Sequence, residues 1–343
     1  MCGIWRSEWG IGITCRRLAT TIENATIEQS AIGLNPPPRR RRSRIAWALW
    51  PACWAYTAVL VAIWIVLATL SDRWWLATVI MFGPRWIWGL PLVVLLPATL
   101  ILCRRGLLPL SIAGIVLLVG VMRFCVPLPR FAAAGSGGVG LRMVTCNAHY
   151  RHLDSAALAA FIRDVKPDIV LVQACLSRRD PVILGEGWFW RRSGEMYIAS
   201  RLPILEDSAP DDGAFQTGNG SAARFRLAGP GDREFDIFSV HLATPREGLT
   251  AVIDNWWDGA GEMAQNSALR SHQSHALREW TRRSIVPCLV AGDFNTPTDS
   301  TIYWADWSDL TNAFSEAGFG FGYTHYTNRT RLRIDHILLG ADW

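Results

Sequence analysis

The sequence has no pair of closely spaced cysteines. Its eight cysteines are scattered over 343 residues, at positions 2, 15, 53, 103, 125, 146, 175 and 288. Structural zinc sites and disulfide frameworks both depend on close or regularly spaced cysteines. We therefore do not expect cysteine chemistry to be the function, and Cys146 and Cys175, which fall in apolar runs, are predicted to be small buried hydrophobic residues.

Charged residues are missing from three long stretches of the N-terminal third. Residues 45–70 are 26 positions without a charge, and residues 86–103 and 106–122 are uncharged over 18 and 17 positions. A helix needs about 20 apolar residues to cross the hydrocarbon core of a bilayer. The sequence therefore predicts three transmembrane helices in residues 45–125. The alternative for the first run, a cleaved signal peptide, would have a shorter apolar core and would not follow a 44-residue tail.

Residues 1–44 lack sustained hydrophobic periodicity and end in a proline run and five arginines between positions 39 and 44. We expect this segment to be a disordered basic tail on the cytoplasmic side, because loops rich in Lys and Arg stay in the cytoplasm. By the same rule, Arg104 and Arg105 predict that the loop between the second and third spans is also cytoplasmic. Three crossings then place everything after Arg130 outside the cytoplasm, in a multi-pass protein of the cell membrane.

The net charge of +5 is unevenly divided along the chain. Residues 1–130 hold 14 basic and 4 acidic side chains, whereas residues 131–343 hold 20 basic and 25 acidic ones. The basic surplus belongs to the membrane half and is no evidence that the C-terminal half binds DNA.

An Ala/Gly/Ser-rich stretch separates the two halves and predicts a linker at residues 126–140. Beyond it, in residues 141–343, short β-like runs alternate with helix-like runs. This pattern predicts an α/β domain in which sheets pack face to face and helices flank them. The predicted strands are residues 141–146, 168–172, 196–199, 235–240, 288–291 and 334–339, and the predicted helices are residues 155–165 and 266–282.

Polar side chains stand at the ends of four of these apolar runs. The strongest signal is the run Val-Ala-Gly-Asp-Phe-Asn, which presents Asp293 and Asn295 together; a carboxylate can hold a hard cation, and an amide can donate to a phosphate oxygen. His241 and Asn147 end two other strands, and Asp335 stands between apolar neighbours. Taken alone, Asp-x-Asn after glycine is more often a turn, and a single strand-end histidine is usually structural.

In combination, these motifs resemble the endonuclease/exonuclease/phosphatase superfamily, which includes deoxyribonucleases, abasic-site endonucleases, inositol-polyphosphate 5-phosphatases and bacterial sphingomyelinases. The resemblance covers residues 141–340 and implies a four-layered α/β sandwich that hydrolyses phosphoesters with Mg²⁺ or Mn²⁺. It assigns catalytic roles to His241, Asp293 and Asn295, with His241 and Asn295 also binding substrate. Asn147 and Asp335 are assigned to the metal site.

Two departures from the family pattern put turnover in question. The family usually has Gln-Glu at the end of its second strand, where the Glu is the principal metal ligand, but this chain has Gln173 and Ala174. The closing Ser-Asp-His motif, which supplies a further aspartate and the general-base histidine, is absent, so the domain looks truncated. His336 should point away from Asp335 and is expected to be a packed or surface residue, while Glu195 is a candidate to orient His241.

The sequence thus predicts a membrane-anchored, metal-dependent phosphodiesterase, nuclease or phosphatase that acts outside the cytoplasm. Its expected partners are the lipid bilayer and a phosphoester substrate, either a lipid headgroup or a nucleic acid, and no protein partner is evident. The alternative is a catalytically impaired pseudoenzyme or binding module that keeps the fold, favoured by Ala174 and by the missing final motif.

Overall fold

The computed structural model describes residues 39–127, 140–150, 154–175, 185–210, 213–215, 220–341 and 343. Most of the predicted N-terminal tail and most of the predicted linker lie outside these residues. The six predicted strands and the two predicted helices of the C-terminal half lie inside them.

Helices make up the N-terminal part of the described chain. Three of its helical segments are long and apolar enough to cross a membrane: Ala46–Leu70, Arg85–Leu102 and Arg104–Val121. They coincide with the three predicted spans to within one or two residues. The α-helices are α1 (Arg39–Leu70), α2 (Trp75–Phe82), α3 (Leu90–Leu102) and α4 (Leu107–Ile115), extended by 3₁₀ turns at Arg85–Gly89 and Arg104–Gly106 and by a π-helical turn at Val116–Val121.

The first helix begins at Arg39, six residues before the uncharged run. Its arginine-rich first turns therefore continue the apolar span instead of belonging to the tail. Side chains on one face of α1, such as Leu60 and Leu67, are fully buried and share a core with Leu110 and Leu117 of the third segment. The remaining faces expose large apolar side chains, as expected for helices whose surroundings are lipid.

The C-terminal half contains twelve strands and five α-helices among the described residues. The strands are β1 (Met143–Tyr150), β2 (Ile169–Cys175), β3 (Phe189–Ser193), β4 (Met196–Ser200), β5 (Ile204–Ser208), β6 (Ser221–Ala228), β7 (Glu234–His241), β8 (Cys288–Asp293), β9 (Thr311–Asn312), β10 (His325–Tyr326), β11 (Arg331–Leu332) and β12 (Asp335–Leu339). The helices are α5 (Ser155–Val165), α6 (Arg246–Asn255), α7 (Ala260–Arg282), α8 (Thr301–Trp307) and α9 (Ala313–Ala317).

These strands form two mixed sheets and a short hairpin. The first sheet has the order β1-β2-β4-β3, the second has the order β5-β6-β7-β8-β12-β9, and β10 pairs with β11. Each sheet contains one parallel pair: β1 runs parallel to β2 at the edge of the first sheet, and β7 runs parallel to β8 at the centre of the second. The carboxyl ends of each parallel pair therefore meet at one edge of its sheet.

Three apolar clusters divide the domain into four layers. The inner cluster joins the two sheets, with Leu171 and Ile198 from the first facing Phe225 and Ile237 from the second. A second cluster packs α5 on the outer face of the first sheet, and a third packs α7 and α8 on the outer face of the second sheet. The predicted four-layered α/β sandwich, preceded by three apolar helices, is confirmed.

The membrane segments and the sandwich share a core. Leu332 and Ile334, next to the site strand β12, belong to the same buried cluster as Met81, Phe82 and Val121. Since these apolar contacts join the two parts, they pack against each other as one unit.

Two buried ion pairs cross this contact. Arg85 donates two hydrogen bonds to the carboxylate of Asp299, at 2.9 and 3.1 Å. Arg270 lies 3.0 Å from Asp72, and both side chains are almost fully buried. The loop after the first span and the C-terminal domain therefore lie at the same end of the helical bundle, as three crossings require. Sequence reasoning had no signal for either pair, because their members are about 200 residues apart.

Candidate active site

The site residues are positioned by strand ends that meet at one edge of the sandwich. His241 ends β7 and pairs with Asp293 at the end of parallel strand β8. Asp335 begins β12 and pairs with Asp293 from the antiparallel side. Asn147 lies on β1 of the other sheet and reaches across to the same point. The structure thus brings together four of the five predicted site residues.

A tight turn after β8 sets the direction of Asp293. Gly292 has φ +144°, and a Cβ added there would lie 2.1 Å from the carbonyl oxygen of Val240, so only glycine fits. Asn295 has φ +48°, a conformation that asparagine tolerates better than most residues. Its backbone N–H donates to Asp293 Oδ1 at 2.9 Å, so the turn also holds the carboxylate.

Asn147 connects the groups of the site. Its Nδ2 donates to Asp293 Oδ2 at 2.8 Å and lies 3.4 Å from His241 Nε2. Its Oδ1 accepts from the backbone N–H of His149 at 2.8 Å. One amide therefore fixes the orientation of a carboxylate and contacts a histidine, which is the kind of preorganisation that phosphoryl transfer needs.

Asn295 takes a different position from the one its predicted role suggests. Its side-chain Nδ2 donates to the carbonyl oxygen of Leu242 at 2.7 Å, and the residue is buried. In this conformation Asn295 braces the turn, and its contact with a phosphate stays a prediction.

Both carboxylates of the site hold protons more strongly than a carboxylate in water does. Burial raises the pKa of Asp293 to about 6, although hydrogen bonds from Asn147 and Asn295 oppose the rise. Burial and the nearby charge of Asp293 raise the pKa of Asp335 to about 7. Neither carboxylate forms an ion pair within the described part of the chain, and perturbed pKa values of this kind are common at functional sites.

His241 is held neutral by its surroundings. Burial lowers its pKa, while the charge of Glu195 opposes this and that of His149 adds to it. Glu195 thus lies near His241, as its candidate role requires. Nδ1 of His241 is buried and has no hydrogen-bond partner among the described residues, so Glu195 does not bond to that nitrogen here.

A cavity of about 470 Å³ opens over the carboxylates, and we call it the site cavity. Asn147, Asp293 and Asp335 line it, whereas His241 and Asn295 contact these residues from outside its wall. Its size is in the range of small-molecule sites. Four further residues that were not predicted as site residues also line the cavity: His149, Thr324, His325 and Arg333.

These missed residues differ in how far the sequence could have indicated them. His149 stands two positions after Asn147, and alternate residues of a strand share a face, so its position could have been inferred. Thr324, whose Oγ1 accepts from the backbone N–H of Asp335 at 3.1 Å, and His325 come from the β10 region. Only the tertiary fold brings that region to the site.

Ala174 is fully buried at the end of β2, beside the Asn147 segment of β1. It has φ +49°, and its methyl group supplies no metal ligand. His336 is likewise buried: Nε2 lies 2.9 Å from the carbonyl oxygen of Thr296, and burial lowers the pKa of His336 to about 3. His336 is therefore a packed residue, one of the two roles expected for it, although it also lines the site cavity.

The donor set is suited to a weakly held hard cation. Among the described residues, no group of three or more His, Cys, Asp or Glu side chains surrounds a common point. Two carboxylates remain, Asp293 and Asp335, which form no ion pair with any described residue, and Mg²⁺ often binds through one or two carboxylates together with substrate phosphates. The residues present therefore fit a divalent cation that shares its ligands with the substrate.

A two-sheet α/β sandwich with Asn, His and Asp at converging strand ends defines a class of phosphoester hydrolases. Comparison with protein families matches residues 142–343 to the Endonuclease/Exonuclease/phosphatase family. The chain belongs to that family, and the resemblance inferred from its motifs is confirmed. Among curated proteins, none matches the chain.

The chain is also similar to several solved structures, at low sequence identity. The human Nocturnin catalytic domain with bound sulfate is 17% identical, over 54% of this chain and 74% of that one, with a TM-score of 0.40. The 3'-5' exonuclease NExo from Neisseria meningitidis is 15% identical, over 59% and 88%, with a TM-score of 0.43. Sphingomyelinase C from Streptomyces griseocarneus is 15% identical, over 60% and 85%, with a TM-score of 0.36.

Proposed function

We propose that this protein is a membrane-anchored phosphoester hydrolase that depends on Mg²⁺ or Mn²⁺ and acts outside the cytoplasm. The observation that carries the proposal is the convergence of Asn147, His241, Asp293 and Asp335 at one sheet edge. Family membership supports phosphoester hydrolysis, and the three apolar helices support anchoring in a membrane.

Each residue has a role that its contacts support. Asp293, held by Asn147 and by the N–H of Asn295, orients the attacking water or the cation. His241 is neutral at pH 7 because burial lowers its pKa, so its ring can donate a hydrogen bond to the phosphate as charge develops. Asn295 is the second candidate for contact with a phosphate oxygen.

A divalent cation would be held by Asp293 and Asp335 with the amide of Asn147. Bound there, it would supply charge stabilisation to the phosphate. The protein's own contribution is to keep the two carboxylates apposed in a buried site, where they attract positive charge more strongly than in water.

The general-base histidine of the family's closing motif has two candidate substitutes on the cavity wall. His149 and His325 both line the site cavity, and the charge of His149 contributes to the lowered pKa of both His241 and His325. Replacing each by Gln and following the pH dependence of turnover distinguishes them, because loss of a base removes the rise in rate around its pKa.

The rival function is a binding module that keeps the fold without turnover. Ala174 favours it, because the position offers no ligand and the cation then has fewer protein donors. Such a module would bind a phosphoester in the same cavity and would fail to hydrolyse it.

The test is hydrolysis of bis(p-nitrophenyl) phosphate by the full-length chain in detergent, with Mg²⁺ or Mn²⁺. The full chain is required because Leu332 and Ile334 pack on the membrane segments and would be exposed in an isolated domain. We compare it with Asp293→Asn, and Asp258→Asn, in an exposed loop, is the matched control. Activity that is lost in Asp293→Asn and kept in Asp258→Asn supports the hydrolase.

A folded parent without activity would favour the binding module. The Ala174→Glu variant then tests whether the missing carboxylate is the cause. If this variant regains turnover, the defect lies at position 174. Its thermal stability must be measured alongside, because a non-glycine residue at φ +49° inside a buried strand end has little room for a longer side chain.

A further inference from the structure

A second pocket lies where the membrane segments meet the sandwich. Four arginines line it, two from the ends of membrane segments and two from the β11 region: Arg85, Arg123, Arg331 and Arg333. Tyr323 and Thr298 complete its polar walls, and Asp299 is its only acidic residue. We call this the junction pocket.

The junction pocket has more positive charge than its own acid can neutralise. Asp299 is occupied by Arg85, which donates to both of its carboxylate oxygens. Arg123, Arg331 and Arg333 form no ion pair within the part of the chain that the structure describes. Three arginines therefore line one small pocket without an acidic partner among the described residues.

Arg333 is the buried member of this group. It is 7% exposed, its Nη2 donates to Thr298 and Ser315 at 3.3 and 3.2 Å, and its Nη1 has no hydrogen-bond partner among the described residues. Burial lowers the pKa of its guanidinium, Cys125 and Tyr303 oppose this, and the like charge of Arg123 adds a smaller decrease. An unpaired buried guanidinium is costly, so this geometry favours an anion as its partner.

The position of the pocket along the membrane normal identifies the source of the anion. Arg85 begins the second membrane segment, and Arg123 follows the third, which ends at Val121. Directly after it, Phe124 packs edge-on against Phe319 and Phe321, with ring centroids 5.3 and 5.0 Å apart. Charged ends of spans beside aromatic rings lie at the depth of lipid headgroups.

We propose that the junction pocket binds the phosphate of an anionic membrane lipid. This inference rests on the part of the proposed function in which the three apolar helices cross the membrane, and it does not depend on turnover. The lipid phosphate would neutralise Arg123, Arg331 and Arg333 together. The pocket is separate from the site cavity, and Arg333 lines both.

Binding to this pocket is measured with the full-length chain in lipid nanodiscs or by lipid retention in native mass spectrometry. The probes are phosphatidylglycerol, phosphatidylcholine and inorganic phosphate. The test variant is Arg123→Asn combined with Arg331→Gln. Asparagine is chosen because residue 123 has φ +59°, which asparagine tolerates, and Arg333 is left intact because its burial makes it important for folding.

The matched control is Arg329→Gln. Arg329 is exposed two residues before Arg331, and its contribution to the junction is a backbone carbonyl that accepts from Trp86 Nε1 at 3.2 Å. The substitution removes one positive charge from the same segment and keeps that hydrogen bond. A general loss of surface charge would affect the control in the same direction as the test variant.

We expect phosphatidylglycerol to be retained over phosphatidylcholine, and the double variant to weaken its retention about fivefold or more while Arg329→Gln leaves it unchanged. Equal retention of the two lipids, or an equal loss in the control, would overturn the inference. If inorganic phosphate occupies the pocket as tightly as phosphatidylglycerol does, the ligand is a soluble anion and not a lipid.

Failure of the hydrolase proposal can be told apart from failure of this inference. Asp293→Asn removes turnover in the proposed function but leaves the junction pocket untouched, so that variant should retain phosphatidylglycerol like the parent. If an alkaline wash released the protein from membranes, the three apolar helices would not be transmembrane anchors. The proposed anchoring and the lipid site would then both be wrong.

Discussion

At the scale of residues, the apposed carboxylates Asp293 and Asp335 determine how the site responds to pH. Asp293 is buried and Asp335 is partly buried, and their pKa values of about 6 and about 7 lie above the ordinary value of 3.8. An acid whose pKa is raised by folding stabilises the native state only while it is protonated. The loss of folding stability that these two carboxylates cause therefore grows as the pH rises from about 4 to about 7.

We predict that Asp335→Asn flattens this dependence. In the metal-free parent, the melting temperature should fall as the pH rises from 5 to 8 in part because Asp293 and Asp335 must share a buried site as anions. The variant removes one charge and its repulsion of the other. Thermal melts across this pH range measure the difference, with Asp258→Asn as the exposed control, and parallel curves for parent and variant would contradict the prediction.

The same carboxylates predict how added metal acts. Protonation competes with cation binding, so the rise in melting temperature produced by Mn²⁺ should be larger at pH 8 than at pH 5.5. Asp335→Asn should reduce that rise at pH 8. A shift of equal size at both pH values would mean that the cation binds away from these two residues.

At the scale of elements, the end of β8 depends on one backbone conformation. Gly292 approaches the backbone of β7 so closely that a methyl group would overlap the carbonyl of Val240. The close approach lets Asp293 point to the site edge while Asn295 folds back to bond with Leu242. The Gly-Asp-Phe-Asn sequence is thus a structural turn and a chemical motif at once.

Gly292→Ala should destabilise the protein by about 3 kcal/mol or more and abolish hydrolysis, because both its φ and its contacts exclude a side chain. The control is Gly261→Ala in helix α7, where a Cβ meets nothing within 4 Å. That change should stabilise the helix by about 0.5–1 kcal/mol. Denaturant unfolding measures both, and a tolerated Gly292→Ala would show that the strand end can rearrange.

At the scale of the whole molecule, the membrane segments and the sandwich are held together by apolar packing and two buried ion pairs. Each pair joins one residue of the N-terminal helical part to one residue of the sandwich: Arg85 to Asp299, and Asp72 to Arg270. Asp299 and Asp72 are close in space as well, because Ser71 donates to the carbonyl of Asp299 and Ser300 donates to the carboxylate of Asp72. The contact lies next to the turn that carries Asp293.

Breaking the pair of Arg85 with Asp299 should be costly. Asp299→Asn leaves a buried guanidinium uncompensated, and such losses cost about 3–5 kcal/mol. Arg85→Met combined with Asp299→Asn should cost less than the sum of the single changes, because no lone charge remains. Unfolding in detergent measures the cycle, and strict additivity would show that the pair is not coupled.

A surface pair provides the comparison for this cycle. Arg282 lies 2.7 Å from Glu279 on helix α7, and both side chains are about half exposed. Glu279→Gln should leave stability unchanged within error, since exposed pairs are screened by solvent. A loss similar to that of Asp299→Asn would mean that the assay reports general charge effects and not the junction.

The sequence by itself determined six of the twelve described strands and two of the five α-helices of the C-terminal half, together with the three apolar segments and the strand-end residues Asn147, His241, Asp293 and Asp335. These follow from local pattern: the length of uncharged runs, alternation of apolar residues and a glycine turn before a carboxylate. The same local reasoning identified Ala174 as a position without a ligand. It also anticipated that His336 is a packed residue.

Only the tertiary structure decided which distant residues meet. His325, Arg333 and the junction pocket depend on how the β10 to β12 region folds over the strand ends and onto the membrane segments. Asn295 was assigned to a phosphate by its motif, whereas its amide is bonded to Leu242 in the folded chain. The physical reason is that pairing across 200 residues is determined by packing and burial, and these leave no periodic trace in the sequence.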